Sequence, residues 1–186
     1  MRELEAKFEL RMSREEVAEK LAAASISLTR PAHQIDYVYA SSPEELLHPQ
    51  EGTIVARIRF AGSTSTMTVK QRRRSDLDRS ERELVIDDGE AGRDILQLLG
   101  LQQIVVVEKF RQDVKLNSST SLLVDEVLGL GAFLELEVLD DTDQAQPELE
   151  AAIEIVEAVL GSDLMRVDKG YDRLLVEAGR ARESTQ

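Results

Sequence analysis

Charged side chains recur at every second position along several short segments of this chain. Glu3, Glu5 and Lys7 form one set, Arg57 and Arg59 a second, and Lys70 stands in a third segment. Arg79, Glu81 and Glu83 follow, then Lys109 and Arg111, then Asp125, and last Glu135 and Glu137. Residues two apart share a face of an extended segment, so each set projects from one side of its strand. The residues between them, among them Leu4, Ala6, Ile58, Val69, Phe110, Leu134 and Leu136, are apolar. The signs also segregate by strand, with Arg57/Arg59 and Lys109/Arg111 basic and Glu135/Glu137 acidic, whereas a surface selected for solubility usually mixes them. Two arrangements fit this pattern. The charges can face solvent around an apolar sandwich, or they can line a wet interior while helices cover the apolar face. The second has a chemical use: cations bind a polyanion such as a triphosphate, Arg in bidentate fashion, and carboxylates hold a divalent metal that also touches the phosphates.

The elements that must carry these sets can be read from periodicity. Residues 2–11 alternate as a half-buried strand does. Ser13 with Glu16 three residues later forms a capping box, and Val17, Leu21 and Ala24 follow at helical spacing, which predicts a helix over about 13–24. Residues 34–40 predict a strand, and 41–52 a loop with one helical turn. Residues 53–61 and 64–72 predict a hairpin across Gly62-Ser63. Further strands are expected at 80–87, 102–115, 120–127 and 132–139, with helices over 89–99, 146–160 and 170–179; the first two end at Gly100 and Gly161. About eight strands, many in hairpins, predict one α+β domain built on an antiparallel sheet. It is expected to span residues 1–180, with 181–186 a frayed tail.

Composition narrows the chemistry. The chain has 186 residues and a formal net charge of −13, which makes it a poor non-specific binder of nucleic acid or anionic membrane. It has no Cys and only two His, which excludes a disulfide framework, a thiolate zinc site, a cysteine nucleophile and a multi-histidine metal site. A metal here must be held by carboxylates, which favours hard cations. His33 and His48 fall in or near loops and are not expected to be catalytic. No apolar run reaches the length of a membrane span, and the N-terminus carries no apolar leader, so a cytoplasmic location is expected. The basic run Lys70-Gln71-Arg72-Arg73-Arg74 is expected to be a solvated hairpin end. Leu128-Gly129-Leu130-Gly131 lacks the strand-to-helix context of a phosphate loop and reads as a turn.

Taken in order, the charged segments resemble the motifs of the CYTH superfamily, the triphosphate tunnel metalloenzymes. Glu3-Leu4-Glu5-Ala6-Lys7 matches its E-x-E-x-K signature. Gln34-Ile35-Asp36-Tyr37-Val38-Tyr39 resembles Q-x-D-x-Y-F, Arg57-Ile58-Arg59 resembles R-x-R, and Lys70 the lysine that ends the next strand. Arg79–Glu83 resembles R-x-E-x-E, and Lys109-Phe110-Arg111 resembles K-x-R. Residues 125–137 resemble D-x-V-x-G-L-G-x-F-x-E-x-E, most like the class IV adenylyl cyclase branch. The resemblance covers about residues 2–176. There are two departures: Tyr-Val-Tyr-Ala at 37–40 where Tyr-Phe is usual, and Gly170 before Tyr171 where the family has Ser.

This resemblance implies an eight-stranded antiparallel β-barrel with a charged lumen, helices packed outside, and a triphosphate bound with Mg²⁺ or Mn²⁺. By the matched positions, Glu3, Glu5, Asp125, Glu135 and Glu137 look like metal-facing carboxylates. Lys7, Arg57, Arg59, Lys70, Lys109 and Arg111 look like the phosphate cradle, with Lys70, Arg57 and Arg111 expected to act on the reacting phosphate. Class IV cyclases convert ATP to cyclic AMP and pyrophosphate, while sister branches hydrolyse thiamine triphosphate or inorganic tripolyphosphate. The motifs leave that choice open, along with the general base, for which the Glu3/Glu5 or Glu135/Glu137 carboxylates or Lys70 are candidates. A module that binds a nucleotide or polyphosphate without turnover is a third alternative, although anion binding alone needs no such set of carboxylates. The expected partner is a small-molecule triphosphate, with no nucleic acid and no membrane. The residues leave the oligomeric state open; homodimers are common in the family.

Overall fold

The structure is a computed structural model that describes residues 2–75 and 78–183. It divides into two compact units, Met1–Ala32 with Lys109–Asp168, and His33–Glu108 with Lys169–Gln186.

The first unit holds β1 (Arg2–Leu10), α1 (Arg14–Ala23), the second half of β6 (Gln102–Lys115), β7 (Thr120–Val127), β8 (Gly131–Leu139), α4 (Ala145–Leu160) and a short strand β9 (Leu164–Val167). Its strands run in the order β6-β7-β8-β1-β9, and these neighbours pair antiparallel. Alternation sorts the side chains as expected. Leu4, Ala6 and Phe8 of β1 join Leu122, Val124, Leu134, Leu136 and Val138 on one face. Val17 and Leu21 of α1 and Leu149, Ala152, Val156 and Leu160 of α4 complete that core. The capping box forms: Glu16 N–H donates to Ser13 Oγ at 3.2 Å and Ser13 N–H to Glu16 Oε2 at 2.8 Å. The strand β9 was not expected from the sequence; it pairs with the end of β1 through Lys7–Leu10.

The second unit holds β2 (Ala32–Ala40), α2 (Pro43–Leu47), β3 (Ile54–Ala61), β4 (Thr64–Ser75), β5 (Asp78–Ile86), α3 (Gly89–Leu98), the first half of β6 and α5 (Tyr171–Glu183). Its strand order is β5-β4-β3-β2-β6. The β3–β4 turn is the expected hairpin, with Gly62 at φ +59° supplying the left-handed residue it needs. Tyr39, Ala56, Ile58 and Leu96 form a separate small core. The unusual Tyr37 and Tyr39 hold α3 in place: Arg93 Nε donates to Tyr39 Oη at 3.1 Å, and its guanidinium lies 3.9 Å from the centre of the Tyr37 ring. The helix α5 runs to Glu183, so it takes in residues 181–183 of the expected frayed tail; residues 184–186 lie outside the described residues.

The close seat of α3 depends on Gly92, where an added Cβ would come within 2.7 Å of Ile86 Cδ1 and 3.1 Å of Ile58 Cδ1. Gly92→Val should cost about 1–3 kcal/mol by overpacking, lowering the thermal midpoint by roughly 3–10 °C. An unchanged midpoint would show that α3 can lift from the strands at no cost.

Candidate functional site

The sequence-derived site residues lie on the sheet faces opposite the two apolar cores. Eight of the eleven converge in the first unit: Glu3, Glu5 and Lys7 on β1, Lys109 and Arg111 on β6, Asp125 on β7, and Glu135 and Glu137 on β8. Strand register sets their encounters. Lys7 stands opposite Glu135, Glu5 opposite Glu137, and Arg111 opposite Asp125. These charges do not face bulk solvent. Glu3 is 3% exposed, Lys7 and Lys109 2%, Glu135 4% and Asp125 0%, so the solvated-strip arrangement does not apply to them.

Burial at this depth requires pairing, and the face is extensively paired. Lys7 Nζ lies 2.8 Å from Glu5 Oε1 and 2.9 Å from Glu135 Oε1. Arg111 grips Asp125 with both arms of its fork, Nε to Oδ1 at 2.7 Å and Nη2 to Oδ2 at 2.5 Å. It also donates to Glu135, and its Nη1 is 3.9 Å from Glu137 Oε1. Lys109 Nζ donates to Asp125 Oδ2 at 3.2 Å.

The charges fix one another's protonation. Burial by itself would favour the neutral form of each group. For Lys7 that effect is outweighed by the charges of Glu135 and Glu5, which raise its pKa well above the usual lysine range. For Glu135, burial opposes ionisation, but Lys7 and Arg111 prevail and hold the carboxyl well below the usual carboxylate range. Asp125 is likewise lowered, against its burial, by Arg111 and Lys109. Lys7, Arg111, Asp125 and Glu135 are therefore charged at neutral pH.

The remaining three site residues, Arg57, Arg59 and Lys70, share a face of the second unit. Arg59 clasps the buried Asp36 with two bonds of 2.6 and 2.7 Å. Arg57 Nη1 is 3.7 Å from the same carboxylate, and its Nη2 donates to Thr68 Oγ1 at 3.0 Å and to Glu83 Oε2 at 3.3 Å. Its Nε is a buried donor with no hydrogen-bond partner. Lys70 Nζ is 3.0 Å from Glu81 Oε2. Asp36 had appeared in the sequence only as part of a motif; its role as the acceptor that orients Arg59 follows from the register pairing of the two residues across β2 and β3.

A cavity in the second unit adds residues that the sequence reading left out of the site. Lys70, Arg72, Arg79, Asp172 and Arg173 line it. The basic run is thus divided by strand alternation: Gln71, Arg73 and Arg74 are exposed, while Arg72 is half-buried on the Lys70 side. The available signal was spacing, since Arg72 lies two residues after Lys70 and Arg79 two before Glu81.

Among the described residues no three metal-capable side chains form a ligand cluster. Mg²⁺ typically takes only one or two carboxylates together with substrate phosphates and water, so a protein cage is not required. Glu5 and Glu137 are like charges at directly paired positions, an arrangement that destabilises a sheet unless a cation intervenes. Glu5 Oε1 is buried and takes no well-aligned hydrogen bond beyond its ion-pair contact with Lys7. All of these are hard oxygen donors, so this pair fits a hard divalent ion.

The CYTH domain model matches residues 1–171. The chain belongs to the CYTH family. This is a family of divalent-metal-dependent tunnel enzymes. A Methanocaldococcus jannaschii protein named "putative adenylate cyclase" is 34% identical over 94 residues, covering 50% of this chain and 53% of that protein. The match therefore spans about half the length of that relative. A solved Vibrio parahaemolyticus structure, also named a "putative adenylate cyclase", superposes with TM-score 0.72 at 17% identity, covering 93% of this chain and 97% of its own. A "putative adenylyl cyclase" of Hippeastrum, described as having a dominant triphosphatase activity, superposes with TM-score 0.65 at 16% identity and 96% coverage of each chain. At these identities the structures speak for the fold alone, and they bear out the α+β, eight-stranded antiparallel barrel class expected from the sequence. Among the described residues no helix is long and apolar enough to cross a membrane.

Proposed function

We propose that this CYTH protein is a divalent-metal-dependent enzyme acting on a small triphosphate, with conversion of ATP to cyclic AMP and pyrophosphate as its first reading. The observation that carries the reading is a pair of incomplete buried ionic groups. Arg57 Nε is a buried donor without a hydrogen bond, and Glu5 Oε1 is a buried acceptor held by the Lys7 ammonium at 2.8 Å and directly opposed by the like charge of Glu137. A phosphate oxygen satisfies the first, and a metal ion relieves the opposition at the second.

Glu3, Glu5 and Glu137 are the side chains proposed to hold Mg²⁺ or Mn²⁺, with Glu135 and Asp125 behind them. The bound ion supplies charge neutralisation at the phosphates. Lys7, Lys109 and Arg111 in the first unit, and Arg57, Arg59 and Lys70 in the second, are the proposed phosphate-binding groups. Lys70, Arg57 and Arg111 are assigned to the reacting phosphate. Their part is electrostatic: fixed cations stabilise charge that develops on phosphate oxygens, with no reorganisation at the moment of reaction. Asp125 and Asp36 act as positioning residues, since each holds an arginine fork in one orientation. In cyclisation the ribose 3′-oxygen attacks the α-phosphorus and pyrophosphate leaves; in hydrolysis water attacks the terminal phosphorus. The activity described for the Hippeastrum protein supports hydrolysis as the second reading.

Purified protein should be assayed with ATP, thiamine triphosphate and tripolyphosphate, each with Mg²⁺, with Mn²⁺ and with chelator. Cyclic AMP as product is the expected result, and orthophosphate release would assign the hydrolase. Tight binding without turnover of any of the three would overturn both readings in favour of a binding module.

A further inference from the structure

Arg57 of β3, Thr68 of β4 and Glu83 of β5 are direct register partners across three adjacent strands. Thr68 is fully buried. Its hydroxyl accepts from Arg57 Nη2 at 3.0 Å and donates to Glu83 Oε2 at 2.7 Å. These directions are not interchangeable. A carboxylate only accepts and a guanidinium only donates, so the single hydroxyl proton belongs to Glu83 and a lone pair to Arg57. The same Nη2 also donates to Glu83 Oε2 at 3.3 Å, which closes a triangle of three polar groups.

The other holds on Arg57 are weaker. Asp36 Oδ2 lies 3.7 Å from Nη1, beyond hydrogen-bonding reach, and that carboxylate is occupied by the two bonds from Arg59. Glu83 is an exposed side chain, and an ion pair so open to water gives little fixity by itself. A guanidinium tied to one acceptor pivots about it, whereas two acceptors at one nitrogen fix its plane. Thr68 supplies the second acceptor, and by donating to Glu83 it also holds that carboxylate in place. The triangle leaves over the Arg57 Nε–H, buried and without a partner. Valine is as well suited to a strand as threonine, so β4 does not need this hydroxyl in order to form.

We infer that Thr68 is a positioning residue for substrate binding: its buried hydroxyl locks the Arg57 fork against Glu83, so that Nε–H is presented to a phosphate oxygen. The inference rests on the triphosphate reading above, with Arg57 as one of its phosphate-binding groups. It adds Thr68, which carries no charge for a sequence pattern to pick out, and it makes Glu83 the anchor of the row. The arginine is ordered before the substrate arrives, so the row strengthens binding without touching the ligand.

Calorimetric titration with inorganic tripolyphosphate, in the presence of chelator and so without turnover, tests this through a double-mutant cycle. Thr68→Val should weaken binding about tenfold, the scale of one hydrogen bond to a charged group. Thr68→Ser keeps the hydroxyl and should recover most of that loss. Arg57→Gln removes the phosphate contact itself, and in that background Thr68→Val should weaken binding no further, because the fork it orients is gone. Thermal unfolding checks that each variant is folded. Parental affinity in Thr68→Val, no recovery in Thr68→Ser, or equal losses from Thr68→Val with and without Arg57 would each overturn the positioning role, since a residue that only packs the strand acts alike in both backgrounds. Failure of the underlying reading looks different. If Arg57→Gln binds tripolyphosphate like the parent protein, Arg57 is not a phosphate-binding group, and the assignment of that face fails together with the inference. If the cycle comes out as expected but no triphosphate is turned over, only the enzymatic reading fails.

Discussion

Asp125→Ala is expected to destabilise the protein by about 3–5 kcal/mol, the cost of removing one member of a buried ion-pair network. Asp125 is fully buried and accepts from Lys109 and from both arms of the Arg111 fork. Its removal leaves Arg111 with Glu135 and a distant Glu137, and strands part of two buried cationic charges. Set against a typical stability of about 5–15 kcal/mol, the loss should show as a large fall in the urea midpoint. Asp125→Asn keeps the shape but not the charge, and should fall between the two.

The same network sets the response to acid. Asp125 and Glu135 both have depressed pKa values in the folded chain. Their contribution is therefore present above the unfolded carboxylate values of about 4. It is lost as pH falls through the lower folded values, where the unfolded chain binds more protons. Lys7 works in the opposite sense: its raised pKa gives stability that is present below the ordinary lysine value and lost only as pH rises beyond it. Urea midpoints measured from neutral pH down to about pH 2 should decline steeply for the parent protein. The decline should be shallower for Asp125→Ala, which has one fewer depressed carboxylate to protonate. Parallel curves would mean that Asp125 is not ionised by its partners.

Strand periodicity made much of this legible in the sequence. Period-two alternation placed Glu3, Glu5 and Lys7 on one face and Leu4, Ala6 and Phe8 on the other, because each strand there has a helix on one side only. The Ser13/Glu16 box and the glycines after α3 and α4 marked helix ends through local chemistry that needs no tertiary context. Features that depend on distant partners were not legible. β9 is four residues long, and its strand character comes from pairing with β1. The Asp36–Arg59 clasp requires the register of β2 on β3. The run Lys70–Arg74 read as solvated because consecutive cations usually are; the cavity exists because α5, about a hundred residues later, brings Asp172 and Arg173 to the alternate positions Lys70 and Arg72. Gly170 read as a lost hydroxyl, while the structure shows Asp172 occupying the space a side chain would need.

Glu5→Gln should separate activity from stability in the way that Asp125→Ala cannot. On the proposed reading Glu5 is a metal-holding carboxylate, so its neutral isostere should reduce metal-dependent turnover by about 10²–10³-fold, the scale of losing one electrostatic contact to the reacting group. Stability should fall less than in Asp125→Ala, for two reasons visible in the structure. Lys7 keeps Glu135 at 2.9 Å when Glu5 loses its charge. The like-charge opposition of Glu5 and Glu137 is relieved at the same time, and the two effects offset one another. The expected pattern is a loss of stability clearly smaller than that of Asp125→Ala, together with a collapse in rate and a weakened response to Mn²⁺. Near-parental rates at saturating metal would remove Glu5 from the site. A large loss of stability would show that its charge is needed to balance Lys7, making it part of the same structural network as Asp125.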